Sequence, residues 1–315
     1  MNAQINNICI AGVGGIGGYF GGIIARAVRE RKDSAGHVSF IARGDHLEKI
    51  RNEGLILKTV RGDRLICKPD LATDDVQHVP PPDLCLICVK SYDLADMTQR
   101  LSGIVTSNTL IIPLLNGVDI YERIRLRLTK GIVLPACVYI GSSIEEPGVI
   151  TQQGGTGLIL CGKDPQMSDF DPQGLRAFFD GMGLSFRWNE DPYPDIWEKY
   201  VFIAPFGLVT ACSGKTIGGV FADDDLKETT RLIMEEIVSI ARKRGVSLPD
   251  DIVTQSLEKA NNFPYETKTS YQRDIEAGRE RNEGDLFGET IITMGRQHGI
   301  ATPVTERVFG DIGTK

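Results

Sequence analysis

The stretch that most limits what this chain can fold into is an apolar run, Ile8-Cys9-Ile10-Ala11, that breaks directly into Gly12-Val13-Gly14-Gly15-Ile16-Gly17. The run reads as a buried strand and the residues after it as a helix, so the G-x-G-x-x-G pattern falls at a strand-to-helix turn. In that context each glycine has a physical task. Gly12 allows the tight turn, Gly14 lets the backbone approach a pyrophosphate, and Gly17 lets the helix pack closely on the strand. Unpaired N–H groups and the positive dipole end of the helix then face the phosphates. Gly12, Val13, Gly14, Gly15, Ile16 and Gly17 therefore form a candidate dinucleotide cradle. Glycine-rich turns are common in a chain with 35 Gly, and the flanking strand and helix are what favour the nucleotide.

A chain of 315 residues, 41% hydrophobic and 24% charged, can bury a large core and is long enough for two domains. Its net charge of −7 argues against a nucleic-acid or anionic-membrane surface. No apolar run approaches the roughly 18 residues of a transmembrane helix. A short polar leader runs into the first strand without an apolar h-region, which predicts a cytoplasmic protein with no signal peptide. Of the seven cysteines, Cys85 and Cys88 have C-x-x-C spacing. They lie in the strand-like run Asp83 to Val89, where residues three apart point to opposite faces, so a shared metal is not expected.

Taken in order, Tyr19 to Arg31 reads as helix, Lys32 to Gly36 as a polar linker and Val38 to Ala42 as a second strand. Arg43 follows that strand, further from the glycines than the ~20 residues usual for a ribose-binding acid. An Asp or Glu there would bind a ribose 2′-hydroxyl, whereas a planar guanidinium suits the 2′-phosphate of NADP. Residues 46–53 read as a short helix and Leu55 to Pro69 as a hairpin. Strands Leu84 to Val89 and Thr109 to Leu115 end in Lys90 and Asn116, at the carboxyl ends where open α/β sheets bind ligands. Residues 132–162 are strand-like and glycine-punctuated, and the spacing predicts antiparallel strands that extend the same sheet. A helix over 172–183 and a strand at 185–188 follow. The polar, proline-bearing segment 189–194 is the predicted domain boundary, with an NADP-binding domain over 1–190 and a helical substrate and catalytic domain over 191–315.

Beyond the boundary the pattern is helical. Asp195 to Cys212 reads as a buried helix kinked at Pro205, and Leu226 to Arg244 as a helix ended by Gly245. Asp250 is expected to cap a helix through Ala260, and Ser270 to Ala277 and Glu283 to His298 make two more. Lys199 lies near the start of the apolar helix. It can be a snorkelling cation or, where desolvated, a proton donor. By pattern alone Ser270 reads as a helix cap, Glu283 as a solvated face and His298 as structural.

These residues together resemble the ketopantoate reductase (2-dehydropantoate 2-reductase) family over nearly the whole chain. The carriers are Gly12-x-Gly14-x-x-Gly17, Ala42 to Leu47, Val89-Lys90-Ser91-Tyr92-Asp93, Leu115-Asn116-Gly117-Val118 and Ser142 to Gly148. Trp197-Glu198-Lys199, Thr269-Ser270-x-x-x-Asp274 and His298 to Pro303 continue the likeness. The resemblance implies an α/β fold, a Rossmann-type NADP-binding domain followed by an all-helical C-terminal domain like that of 6-phosphogluconate dehydrogenase, with substrate in the cleft between them. It implies NADPH as cofactor, no metal, and reduction of ketopantoate to pantoate in pantothenate and coenzyme A biosynthesis. Arg43 would hold the 2′-phosphate, and Lys90 and Asn116 would border nicotinamide and substrate. Lys199 would be the general acid, Ser270 would bind the substrate carboxylate, and Glu283 would hydrogen-bond the reacting or distal hydroxyl. A homodimer is an open expectation.

Two departures bear on the substrate. Family members tied to pantoate synthesis commonly carry Asn four and eight residues after the catalytic Lys, where this chain has Ile203 and Gly207. The segment Gly278 to Glu283 also runs one residue longer than the usual G-R-x-T-E pattern. Counting back from His298 selects Glu283, with Asn282 and Glu280 as alternatives. A reductase of another small 2-oxo acid, and a non-catalytic NADP-binding sensor, are the rival expectations.

Overall fold

The computed structural model describes residues 5–31, 36–167 and 169–313. Most of the linker expected over Lys32–Gly36 lies outside the described residues. The chain forms two compact units, Met1–Asn116 with Ile120–Pro192, and Gly117–Asp119 with Tyr193–Lys315.

The first unit contains two sheets. β1 (Asn7–Ala11), β2 (His37–Ile41), β5 (Leu71–Thr73), β6 (Leu84–Ile87), β7 (Leu110–Pro113) and β8 (Ile132–Val133) join in the order β5-β2-β1-β6-β7-β8. Every pairing in it is parallel. The near-continuous apolar runs of β1, β6 and β7 follow from that, because a parallel sheet is covered on both faces. The connections carry α1 (Gly15–Glu30), α2 (Gly44–Glu53), α3 (Ser91–Leu101) and α4 (Ile120–Arg125).

A second sheet corrects the expectation that the later strands extend the first. Only β8 joins the parallel sheet. β3 (Leu55–Lys58), β4 (Arg64–Cys67), β9 (Ala136–Glu146), β10 (Val149–Gly162) and β11 (Phe186–Asn189) form a separate mixed sheet, β11-β10-β3-β4 with β9 on β10. The physical reason is visible on α1, which is flanked by both sheets. A Cβ on Gly15 would fall 2.2 Å from the Ser142 carbonyl oxygen, and one on Gly18 2.4 Å from Ile150 Cγ1. One on Gly21 would lie 2.9 Å from Ile10 Cγ1 of β1. The helix starts at Gly15, earlier than the Tyr19 expected, because its glycines are needed for close approach rather than for breaking the helix. Phe20, Ile24, Val38, Phe40, Ile150, Ile159 and Phe179 share one buried cluster that joins the two sheets through α1. α5 (Gln173–Gly181) leads into β11.

Asp164 ties the end of β10 back to the parallel sheet. Its carboxylate accepts from the Tyr121 hydroxyl at 2.7 Å, the Val133 N–H at 2.9 Å and the Arg125 guanidinium. That buried charge is paired and hydrogen-bonded, the arrangement an interior carboxylate requires.

The second unit is helical: α6 (Tyr193–Ser213), α7 (Ile217–Phe221), α8 (Asp224–Lys243), α9 (Ile252–Glu258), α10 (Ser270–Glu276), α11 (Thr290–His298) and α12 (Pro303–Ile312). α6 continues through Pro205, and twelve of its residues, from Ile196 to Ala211, are buried. α8 stops before Gly245, which takes φ 80°. Glu236 on α8 accepts from the Val304 and Thr305 N–H groups at 2.8 and 3.0 Å, capping α12 from another helix.

Three helix ends differ from expectation. Asp250 does not cap α9; Asp251 precedes it and makes no side-chain cap bond. Ser270 is not a cap either. Thr269 is, its hydroxyl accepting from the Gln272 N–H at 3.1 Å. The helix expected from Glu283 is interrupted by a π-helical turn over Asp285–Glu289 before α11 begins. Such wide turns concentrate at functional sites.

Candidate active site

In the parallel sheet, Gly12 follows β1, Arg43 follows β2, Lys90 follows β6 and Asn116 follows β7. These four strands are neighbours and run the same way, so all four groups lie at one edge, and connections leave β1 in opposite directions there. This is the topological switch point at which doubly wound sheets hold ligands. The turn is pinned by Gly12 and Val13 N–H groups donating to the Ile41 carbonyl at 3.1 and 3.2 Å.

The glycines divide by what surrounds them. Gly12 takes φ 97°, and a Cβ there would lie 2.7 Å from Val89 Cγ1. A Cβ on Gly17 would come within 1.9 Å of the Gly12 carbonyl oxygen, so the helix can sit on the turn only without one. Around Gly14 nothing lies within 4 Å of the same position. As the N-cap of α1 it makes no side-chain cap bond. Open space over an uncapped helix N-terminus fits a diphosphate. Gly15 is a different case, its missing side chain making room for the Ser142 backbone of β9.

Arg43 stands exposed and pairs with Asp93 in the first turn of α3. The sequence reading missed that partner, though Val89-Lys90-Ser91-Tyr92-Asp93 was in view. His46, on α2, accepts the Gly148 N–H at its Nδ1 at 2.9 Å. Burial holds its pKa below the usual histidine value. Cys85 sits beside Cys9 in the parallel register, while Cys88 joins the cluster on the other face. Burial and the neighbouring thiol push both far from reactivity. Among the described residues no group of three or more His, Cys, Asp or Glu side chains could hold a metal ion.

The second unit carries the other candidates on three packed segments. Lys199 is half-buried on α6, between Trp197 and Tyr200, which are 1% and 2% exposed. The Tyr200 hydroxyl donates to the Leu286 carbonyl, which fixes α6 against the π turn just after Glu283. The Thr210 and Thr269 hydroxyls meet at 2.8 Å, which fixes the far end of α6 against the start of α10. Ser270 is the first residue of α10, and with Thr269 as cap its own hydroxyl is not the capping group. Tyr271, next along, lies with its hydroxyl 2.8 Å from where a Gly284 Cβ would be, so α10 abuts the Glu283 segment. Burial pushes the Tyr271 hydroxyl up to about 12, so it stays protonated.

Three residues competed for the acidic position. Glu283 is buried, at 5% exposure, and Glu280 is exposed. The Asn282 side chain is used within its own loop, donating to the Arg279 carbonyl at 3.2 Å and accepting from the Gly284 N–H at 3.0 Å. His298 closes α11 ahead of Gly299 at φ 69°, a helix C-terminus.

The sequence profile described as ketopantoate reductase PanE/ApbA matches residues 8–166, and that of the family's C-terminal domain matches residues 192–314. The chain belongs to the ketopantoate reductase PanE/ApbA family. Family membership makes it an oxidoreductase of the 2-dehydropantoate 2-reductase type. The uncharacterized oxidoreductase YkpB of Bacillus subtilis is 25% identical over 303 residues, 96% of each chain. A 2-dehydropantoate 2-reductase of Halobacterium salinarum is 26% identical over 305 residues, 97% of each. A solved PanE/ApbA family ketopantoate reductase from Ralstonia eutropha superposes with TM-score 0.85 at 26% identity, covering 98% of this chain and 97% of that one. No described helix is long and apolar enough to cross a membrane.

Proposed function

We propose that this protein reduces a 2-oxo acid to the corresponding 2-hydroxy acid, with NADPH as the electron donor. The observation that carries the reading is the setting of Lys199: half-buried on the largely apolar helix α6, on the unit that also holds Ser270 and the buried Glu283. An ammonium held at that partly open position on an apolar helix can meet a negative charge developing on a substrate oxygen.

When bound, the nicotinamide supplies hydride to the ketone carbon. The Lys199 ammonium stabilises the negative charge that develops on the ketone oxygen and delivers its proton there, leaving the alcohol and a neutral lysine. The Ser270 hydroxyl donates to the substrate carboxylate. Glu283 accepts from the substrate's reacting or distal hydroxyl. The open approach at Gly14 supports the assignment of Gly12, Val13, Gly14, Gly15, Ile16 and Gly17 to the diphosphate, with Gly15 acting by packing. Arg43 receives the 2′-phosphate, and Lys90 and Asn116 border the nicotinamide and substrate.

Ketopantoate is the first substrate to test, because it is the substrate in the names of relatives such as the Halobacterium salinarum protein. Ile203 and Gly207 favour a different acid. The deciding assay follows NADPH absorbance as ketopantoate and other 2-oxo acids are added, with NADH in parallel. Oxidation of NADPH in preference to NADH by one or more of these acids is expected. NADPH binding without turnover of any 2-oxo acid would overturn the catalytic reading and leave a cofactor sensor.

A further inference from the structure

We infer that the preferred substrate is a 2-oxo acid whose side chain is wholly apolar, branched or aromatic, and lacks the distal hydroxyl of ketopantoate. This names the substrate class for the proposed reduction and rests on that reading. The argument begins with the periodicity of α6. Positions 199, 203, 206 and 210 fall along one stripe of a 3.6-residue helix, with 202 on one flank and 207 on the other. They are Lys199, Ile203, Phe206, Thr210, Phe202 and Gly207. Phe206 and Thr210 are buried, whereas Lys199, Phe202 and Ile203 are only half-buried. The part of the stripe that remains accessible therefore couples one cation to an apolar surface.

That surface is built up from a second segment. Phe263 stacks on Phe202 with ring centroids 5.4 Å apart and planes 13° from parallel, and Phe202 packs on Phe206 at 5.0 Å. Phe263 is nevertheless 42% exposed. It follows the 3-10 turn Lys259–Asn262, which is tied to α6 by Lys259 donating to Glu198 Oε1 at 2.6 Å, immediately beside Lys199. An exposed aromatic held parallel to a half-buried one, and anchored next to the proposed proton donor, is not core packing. It is a flat apolar wall placed one helical turn from the chemistry.

The opposite flank is closed apolar core, with Gly207 buried there. The Phe287 ring lies 3.7–3.9 Å from where a Gly207 Cβ would be, and Phe287 is 2% exposed and packed on Tyr271 at 5.5 Å. Neither Ile203 nor Gly207 has a side-chain group that can donate to or accept from a hydroxyl. A substrate hydroxyl brought against this surface leaves water without replacement from these positions. An apolar side chain gains contact instead. Apolar sites discriminate against an added hydroxyl by about a hundredfold at most, so a preference of roughly ten- to a hundredfold is expected.

A matched pair of substrates isolates this effect: ketopantoate, and 3,3-dimethyl-2-oxobutanoate, which has the same skeleton without the hydroxyl. With the full chain and saturating NADPH, kcat/KM should be at least tenfold higher for the unhydroxylated acid, mostly through KM. Phenylpyruvate should also outperform ketopantoate. Ile203→Asn should shrink or reverse the ratio between the matched pair. Phe263→Ala, at an exposed loop position, should lower kcat/KM for phenylpyruvate several-fold more than for 3,3-dimethyl-2-oxobutanoate. Equal or better turnover of ketopantoate, unmoved by Ile203→Asn, would overturn the inference while leaving the reductase reading intact. Failure to reduce every acid, with NADPH still bound, would overturn the reductase reading itself.

Discussion

In the first unit, the groups assigned to the cofactor depend on backbone. Gly12, Gly14 and Gly17 matter because of what they lack, and they fall within six consecutive positions of chain. In the second unit, the groups assigned to the substrate are side chains from α6, the start of α10 and the segment before α11. Contacts such as Thr210 with Thr269 and Tyr200 with Leu286 hold those segments against one another. At Gly12 and Gly17 the first arrangement tolerates no added atom without a shift, whereas the second is open to change residue by residue. On the proposed assignment, binding a common cofactor and selecting a particular acid fall to two differently constrained pieces of structure.

The largest expected effect lies on the side-chain half. We predict that Lys199→Ala lowers kcat by ~10²- to 10⁴-fold, the usual span for general acid–base assistance, while NADPH affinity from fluorescence titration stays within about twofold. Undiminished turnover would remove Lys199 from the chemistry and erase the contrast. On the backbone half, Gly17→Ala places a methyl against the Gly12 carbonyl. It should destabilise the first unit by about 3 kcal/mol, as overpacking does, and weaken NADPH binding along with it. Gly14→Ala, where the space is open, should leave the thermal midpoint nearly unchanged and weaken only cofactor binding. If the two glycine variants behaved alike, the division between packing and ligand approach would fail.

Smaller effects sharpen the picture. Arg43→Ala should raise the KM for NADPH with little change for NADH. The loss should be about 1.5–3 kcal/mol, the worth of a hydrogen bond to a charged group. Equal losses for both cofactors would argue against a 2′-phosphate contact. Thr269→Ala removes the α10 cap and the bond to Thr210, which should lower stability by about 1 kcal/mol. Because Ser270 is the next residue, KM for the acid should rise more than kcat falls. A cap with no bearing on the site would leave KM alone.

The smallest concerns His46. Its buried ring has a pKa below the usual histidine value. As pH falls through about 6.5, the unfolded chain therefore takes up a proton before the folded one. Stability should decline in that direction, fully present above the unfolded pKa and lost below it. Thermal midpoints of wild type and His46→Gln, compared at several pH values, test this; parallel curves would exclude His46 as a source of the slope.

The same contrast explains what could be read from the chain alone. The turn at Gly12–Gly17, the parallel strands feeding Arg43, Lys90 and Asn116, and the helical second half were legible because each is a local pattern. The second sheet was not. Its strands come from residues 55–67, 136–162 and 186–189, and only the glycines of α1 hint that another layer must pack there. The α10 cap left a signal that was passed over: Thr269 and Gln272 have the spacing of a capping box, one residue before the Ser270 that was read as the cap. The extra residue in Gly278 to Glu283 is visible in the sequence, but no periodicity announces that the following helix opens into a π turn. The Phe202–Phe263 stack has no sequence signal, since its partners are far apart and one is an ordinary loop residue.

The glycine-lined contacts of α1 have one more consequence. A helix gripped from two sides by carbonyls and methyls at contact distance has no freedom to roll or slide when a ligand arrives at its end. The turn proposed to face the phosphates is thus held in place by packing, and little conformational entropy remains to be lost there on association. Calorimetry of cofactor binding should then report a modest entropic penalty from this unit, leaving any sizeable ordering signal to the acid.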